Sequence, residues 1–255
     1  MLPIQEMYYS CQCEGPRIQP AILIRCGLCN LKCLGFGCKL TAPDGTELTG
    51  CDTIRAANPK FKNTWDFYDS WESLTDKVDE IMPKYSKHNH LKPDIVITGG
   101  EPLLYWKDDV LQGTIQYYLS RGHHVTIETN ASLNIEFTRK YQDSIMFSMS
   151  VKLSASGEPE SKRLNPETVT KIVEHCPSSY LKFVINPETW DTDYVEICNF
   201  LKSVPAFVDV YLMPLGGNKI ELDKNCRFVI EKAIQYGFKY SDRLHIRAWD
   251  DKPGV

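Results

Sequence analysis

From Pro93 onward, short apolar runs rich in β-branched residues alternate with segments whose apolar residues recur every three or four positions. The runs DIVIT (94–98), HVTIET (124–129), IMFSMSV (145–151), LKFVI (181–185) and VDVYLM (208–213) predict strands. Between them, DDVLQGTIQYYLS (108–120) puts Leu111, Ile115, Tyr118 and Leu119 on one helical face. NIEFTRKYQ (134–142), ETVTKIVEH (167–175), TDYVEICNFLK (192–202) and CRFVIEKAIQY (226–236) predict further helices, and RLHIRAW (243–249) a last strand. Earlier in the chain, PAILIR (20–25) predicts a strand and SLTDKVDEIM (73–82) a helix. Strands alternating with helices imply βαβ units and a parallel sheet. About six such units predict an α/β fold with an open or partial barrel, one domain over residues 1–255.

Ligands in such sheets bind beyond the carboxyl ends of the strands. The turns there contain a cysteine cluster after PAILIR, then GGEP, TNAS, VKLS and PLGG in chain order. All five are expected on one rim.

Composition narrows the chemistry. The chain has 255 residues, 42% hydrophobic and 24% charged, with a formal net charge of −4. That balance argues against nucleic acid as a partner. No run approaches the ~18 apolar residues of a membrane span, and MLPIQEMYYS lacks the pattern of a signal peptide. A cytoplasmic location is expected. Thiols stay reduced there, so the ten cysteines read as metal ligands or core residues rather than disulfides.

Five of the ten, Cys26, Cys29, Cys33, Cys38 and Cys51, fall within 26 residues. A structural zinc site would use four, in C-x2-4-C pairs. An iron–sulfur cluster with one open iron needs three thiolates. Cys29-x3-Cys33 begins a C-x3-C-x2-C pattern, but Phe36 stands where its third cysteine belongs. Residues 34–50 read as an inserted β-hairpin, with Pro43-Asp44-Gly45 as the turn and CKLT and TELT as its strands. A hairpin returns the chain near its starting point, which would let Cys51 sit where the third ligand belongs and leaves Cys38 as the alternative.

In these motifs the sequence resembles the 7-carboxy-7-deazaguanine synthase family of the radical S-adenosylmethionine (SAM) superfamily. The resemblance runs in order through Ser10-Cys11-Gln12-Cys13-Glu14-Gly15, Arg25–Cys33, Cys51-Asp52-Thr53, Thr98-Gly99-Gly100-Glu101-Pro102, Glu128-Thr129-Asn130-Ala131, Ser150-Val151-Lys152 and Met213-Pro214-Leu215-Gly216. Two family glycines are replaced, by Cys13 and Ala131.

The resemblance implies a partial (β/α)6 TIM-like barrel of the radical SAM type with a β-hairpin in its cluster loop. It implies a [4Fe–4S] cluster on Cys29, Cys33 and Cys51, and Mg²⁺ at Thr53. SAM would lie against Gly99, Gly100, Glu101 and Pro102, Asn130, Ser150, Val151 and Lys152, and Met213, Pro214, Leu215 and Gly216. The pterin substrate would meet Cys11, Gln12, Cys13, Glu14, Arg25, Thr98 and the carboxylate of Val255. The implied reaction takes hydrogen from C6 of 6-carboxy-5,6,7,8-tetrahydropterin, contracts the ring and releases ammonia, giving 7-carboxy-7-deazaguanine for queuosine or other 7-deazapurines. A flavodoxin or ferredoxin electron donor and a homodimer are implied as well. Two other readings are a glycyl-radical activating enzyme, which would share the cluster and G-G-E-P, and a zinc-stabilised interaction module without catalysis.

Overall fold

The computed structural model describes residues 1–82, 92–252 and 254. Its frame is a nine-stranded sheet built around six adjacent parallel strands. These are β2 (Gln19–Cys26), β6 (Asp94–Gly99), β7 (Val125–Thr129), β8 (Met146–Met149), β9 (Tyr180–Ile185) and β10 (Asp209–Pro214). The first strand, β1 (Leu2–Gln12), pairs antiparallel with β2 and carries the short β5 (Asp66–Tyr68). At the opposite edge β11 (Lys239–Tyr240) adds parallel to β10. The sheet does not close, but it curls. Gly15, just past β1, donates its amide to Ser241 Oγ at 2.9 Å, just past β11.

Register divides the two faces. Paired residues on parallel strands point the same way, so Ile22, Ile24, Ile95, Ile97, Ile127 and Phe183 lie on the outer face, fully buried. Helices cover that face, among them α3 (Asp109–Ser120), α5 (Pro166–His175), α6 (Trp190–Leu201) and α7 (Lys219–Tyr236). Along α5 the spacing of Val169, Ile172 and Val173 gives an apolar stripe, and Asn165 caps it by accepting from the Thr168 amide. The inner face carries Arg25, Thr98, Glu128, Ser148 and Lys182.

The predicted hairpin is present as β3 (Cys38–Thr41) and β4 (Glu47–Gly50), a separate two-stranded sheet. Gly45 supplies the left-handed residue of its turn at φ 83. Asp44 accepts from the Thr46 amide at 3.0 Å, and Lys60 reaches the Asp44 carboxylate at 2.6 Å. Beneath it Ala42, Phe61 and Trp65 pack with Leu28, Leu40 and Leu48 as a small core apart from the main one.

Two predicted elements are corrected. RLHIRAW is not a strand: residues Leu244–Trp249 form α8. Its alternation fits either conformation over so short a run, and β11 already takes the place beside β10. The Asp250 amide bonds to the Ile246 carbonyl, and Arg247 is tied to Asp242 at 2.9 Å, which favours the helical turn. NIEFTRKYQ is not a helix either; only a 3-10 turn at Lys140–Ser144 forms. Gln142 Oε1 accepts the amides of Thr138 and Arg139, and Trp106 Nε1 donates to the Glu136 carbonyl. These bonds replace the helical ladder and leave Ile135 and Phe137 facing inward with period two.

No helix of the described residues is long and apolar enough to cross a membrane.

Candidate active site

The glycine-rich turn after β6 is the seat of the cysteine loop. The Gly100 amide bonds to the Cys26 carbonyl at 3.0 Å and the Glu101 amide to the Leu28 carbonyl at 2.8 Å. A side chain cannot fit there: a Cβ on Gly100 would lie 1.9 Å from the Leu28 carbonyl oxygen. Gly100→Ala therefore has to push the loop aside, at a cost of about 1–3 kcal/mol. Its iron retention after anaerobic reconstitution is expected to fall; wild-type iron content in this variant would show that the loop does not rest on Gly100.

Glu101 is fully buried, and its side chain serves the protein. It accepts from the Leu103 amide, from Thr129 Oγ1 at 2.7 Å and from the Asn130 amide at 2.8 Å. Burial pushes its pKa up, against the pull of these bonds. Glu101 thus ties the β6 turn to the β7 turn. Asn130 reaches across to Asn30 at 2.9 Å, and Asn30 to Ser132 at 2.8 Å, so the cysteine loop meets the β7 turn as well. Ala131, at the family's glycine position, still adopts the left-handed conformation, φ 55. An L-residue pays roughly 1–2 kcal/mol there. Ala131→Gly is expected to raise the melting temperature, since relief of that strain exceeds the added entropy of the unfolded chain. A lower melting temperature would contradict this.

The far side of the loop is held by the segment after β8. Glu158 Oε1 accepts the amides of Lys32 at 2.5 Å and Cys33 at 3.0 Å. Lys152 donates to Ser150 Oγ at 2.9 Å and lies 6.0 Å above the Phe36 ring. The turns after β6, β7 and β8 thus share one rim with the cysteine loop.

Cys29, Cys33 and Cys51 lie within one another's electrostatic reach. Burial, with Glu101 adding to it, pushes the Cys29 thiol up to about 12. Burial raises Cys33 to about 11, partly offset by Lys152. Both are protonated at neutral pH unless a metal's charge draws the protons off. The Leu31 amide points at the Cys29 sulfur, 3.4 Å away. Cys51 Sγ contacts Thr53 Oγ1 at 3.2 Å. Cys26 is buried in the outer-face core. Cys38 opens β3 opposite Gly50, and its thiol points back to the Phe36 carbonyl. Among the described residues, no three His, Cys, Asp or Glu side chains converge closely enough to hold a single ion, the arrangement a zinc site needs. Three thiols within one another's electrostatic reach, one with an amide aimed at its sulfur, would suit a cluster that takes three thiolates.

The inner face forms the floor below that rim. Arg25 Nε donates to Glu6 Oε1 at 2.9 Å and its Nη2 to the Tyr8 hydroxyl at 3.2 Å. Two of its five N–H groups are so engaged. Thr98 donates to Glu128 at 2.8 Å. Gln12 is buried, and its Nε2, like Thr126 Oγ1, finds no hydrogen-bond partner among the described residues. Glu14 is bound by Lys182 and by Arg243 at 3.2 Å. Burial alone would raise Glu14; the two cations outweigh it and hold the carboxyl well below its usual range. Cys11 and Cys13 flank Gln12, and the Cys13 carbonyl accepts the Leu244 amide. Val255 lies outside the described residues.

Along its length the chain is 28% identical to the 7-carboxy-7-deazaguanine synthase of Halobacterium salinarum, over 277 residues covering 99% of this chain and 92% of that one. It is 27% identical to the synthase of Rhodopirellula baltica, covering 100% and 89%, and 24% identical to that of Pyrobaculum aerophilum, covering 98% and 96%. The chain is similar along nearly its whole length to several 7-carboxy-7-deazaguanine synthases. The crystal structure of QueE from Escherichia coli shares the fold, with a TM-score of 0.61 over 94% of this chain and 93% of that one at 20% identity. No family model matches the chain.

Against the synthase motifs, the inner-face residues Glu6, Tyr8, Glu128, Lys182, Arg243 and His245 are ones that the sequence reading missed. Burial holds His245 below the ordinary imidazole range, against the pull of Glu14. A signal existed for two of them: Glu128 and Lys182 are charged residues inside otherwise apolar strands.

Proposed function

We propose that the chain converts 6-carboxy-5,6,7,8-tetrahydropterin to 7-carboxy-7-deazaguanine with release of ammonia. The observation that carries this is full-length similarity to several synthases of that name. The rim of thiols and glycine turns above a polar floor supports it. Cys29, Cys33 and Cys51 hold a [4Fe–4S] cluster. Bound together, the cluster and SAM supply one-electron cleavage chemistry and hydrogen abstraction from a substrate carbon.

The chain's own part is binding and orientation. The backbone of Gly99 to Pro102, with Asn130, Ser150 to Lys152 and the Met213 to Gly216 turn, surrounds SAM. Arg25 keeps free N–H groups for the substrate carboxylate, and a guanidinium can meet a carboxylate with two parallel bonds. Gln12 offers its unpartnered amide nitrogen to the pterin edge, beside Thr98 and the Cys11–Glu14 segment. Thr53 supplies a hydroxyl to Mg²⁺, which otherwise keeps water and substrate oxygens. Val255 brings its carboxylate to the substrate, a flavodoxin or ferredoxin delivers electrons, and two chains form a homodimer.

Anaerobically reconstituted protein, given SAM, reductant and carboxytetrahydropterin, is expected to form the deazaguanine product by mass spectrometry. A brown protein that cleaves SAM without that product would point to another radical SAM reaction. A colourless, zinc-bound protein would remove radical chemistry altogether.

A further inference from the structure

Arg243 touches three separate parts of the site. Its Nε donates to Glu14 Oε1 at 3.2 Å on the floor. Its Nη2 donates to Asp52 Oδ2 at 2.8 Å, next to Cys51 in the loop that follows the hairpin. Its Nη1 donates to the Gly216 carbonyl at 2.7 Å, at the end of the turn after β10. The side chain is 16% exposed, while Asp52 is half-exposed, so the guanidinium runs from the interior to the rim. These partners lie 191, 27 and 229 residues away in sequence, and none of the three segments is a strand neighbour of another. Arg243 itself is fixed at the start of α8, where the Leu244 amide bonds to the Cys13 carbonyl.

We infer that Arg243 is a positioning residue that sets the distance between the third-thiol loop and the Gly216 turn, and thereby the width of the SAM slot. A planar fork with donors in three directions can hold three acceptors at once; an ammonium on a flexible stem cannot hold the same geometry. The inference rests on the proposed function, because it assumes that SAM lies between these two segments. It adds a residue from the last helix, outside every motif that the sequence reading used.

The test uses full-length Arg243→Gln and Arg243→Lys proteins, reconstituted anaerobically. Lys182 still pairs with Glu14 in both, so neither variant strands that carboxylate without a cation. Iron content is expected to match wild type, because all three thiols remain. The readout is the electron paramagnetic resonance signal of the reduced protein titrated with SAM. The SAM concentration for half-conversion is expected to rise by roughly tenfold or more in Arg243→Gln, the scale of one lost charge-assisted bond, and by less in Arg243→Lys. Equal half-conversion in wild type and Arg243→Gln overturns the inference. So does loss of iron in both variants, which would make Arg243 structural. A wild-type signal indifferent to SAM would instead defeat the proposed function, so the two failures are separable.

Discussion

Cys51→Ala protein emerges from anaerobic reconstitution with almost no iron, while Cys38→Ala protein stays brown and close to wild type. This is the largest expected effect. Both residues sit at the base of the hairpin, so proximity alone does not separate them. Their surroundings do. Cys51 is felt by both Cys29 and Cys33, and its sulfur faces the Thr53 hydroxyl. The Cys38 thiol turns back to the carbonyl of Phe36 in its own loop. If three thiolates hold the cluster, as proposed, removing one leaves two, and the half-buried Cys29 and buried Cys33 thiols then keep their protons. Iron and sulfide assay with the visible absorption spectrum decides the matter. Iron retained in Cys51→Ala and lost in Cys38→Ala would reverse the ligand assignment.

Lys182→Met is expected to lose about 1.5–3 kcal/mol of stability in chemical denaturation, the scale of one hydrogen bond between charged groups. Lys182 and Glu14 are both largely buried, and Arg243 is then the only cation left on Glu14. Adding Glu14→Gln to the variant should recover most of the loss; if the double variant is as unstable as the single, lost packing rather than charge is responsible. The pair also sets a pH window. Glu14 is depressed in the fold, so its contribution is present above the unfolded carboxylate value of about 4 and fades as pH falls below it. Burial acts to lower Lys182, yet Glu14 and Glu128 raise it overall, so its contribution holds below about pH 10 and is lost in stronger alkali. Between about pH 5 and 9 the pair's share of stability is expected to be flat. A Lys182→Met penalty that changes steeply near neutrality would contradict this pairing.

The six strands from β2 to β10 in the parallel core, five of the helices and the rim turns were legible because their cause is local. A β-branched run followed by Gly-Gly or Thr-Asn marks both a strand and the place where it stops. The hairpin was legible for the same reason, from Pro43-Asp44-Gly45. The floor was not. Which side of a strand faces inward depends on register against its neighbours, so Glu128, Ser148 and Lys182 became site residues only once β7, β8 and β9 were aligned. Arg243 was invisible because its partners lie far away in sequence. The bonds of the Glu101 carboxylate to Thr129 and Asn130 were not legible, because a motif records a residue type and not the direction of its side chain. The 134–142 segment failed because Gln142 and Trp106, rather than helical neighbours, satisfy its backbone.

The hairpin and its small separate core carry a consequence for cooperativity. The two proposed cluster thiols Cys33 and Cys51 bracket a unit held by four cross-strand pairs, a six-residue apolar patch and the exposed Lys60–Asp44 contact. Such a unit can open locally without the main sheet. On heating, iron release should therefore precede global melting, and the enzyme would lose its redox centre while its far-ultraviolet signature still reads as folded.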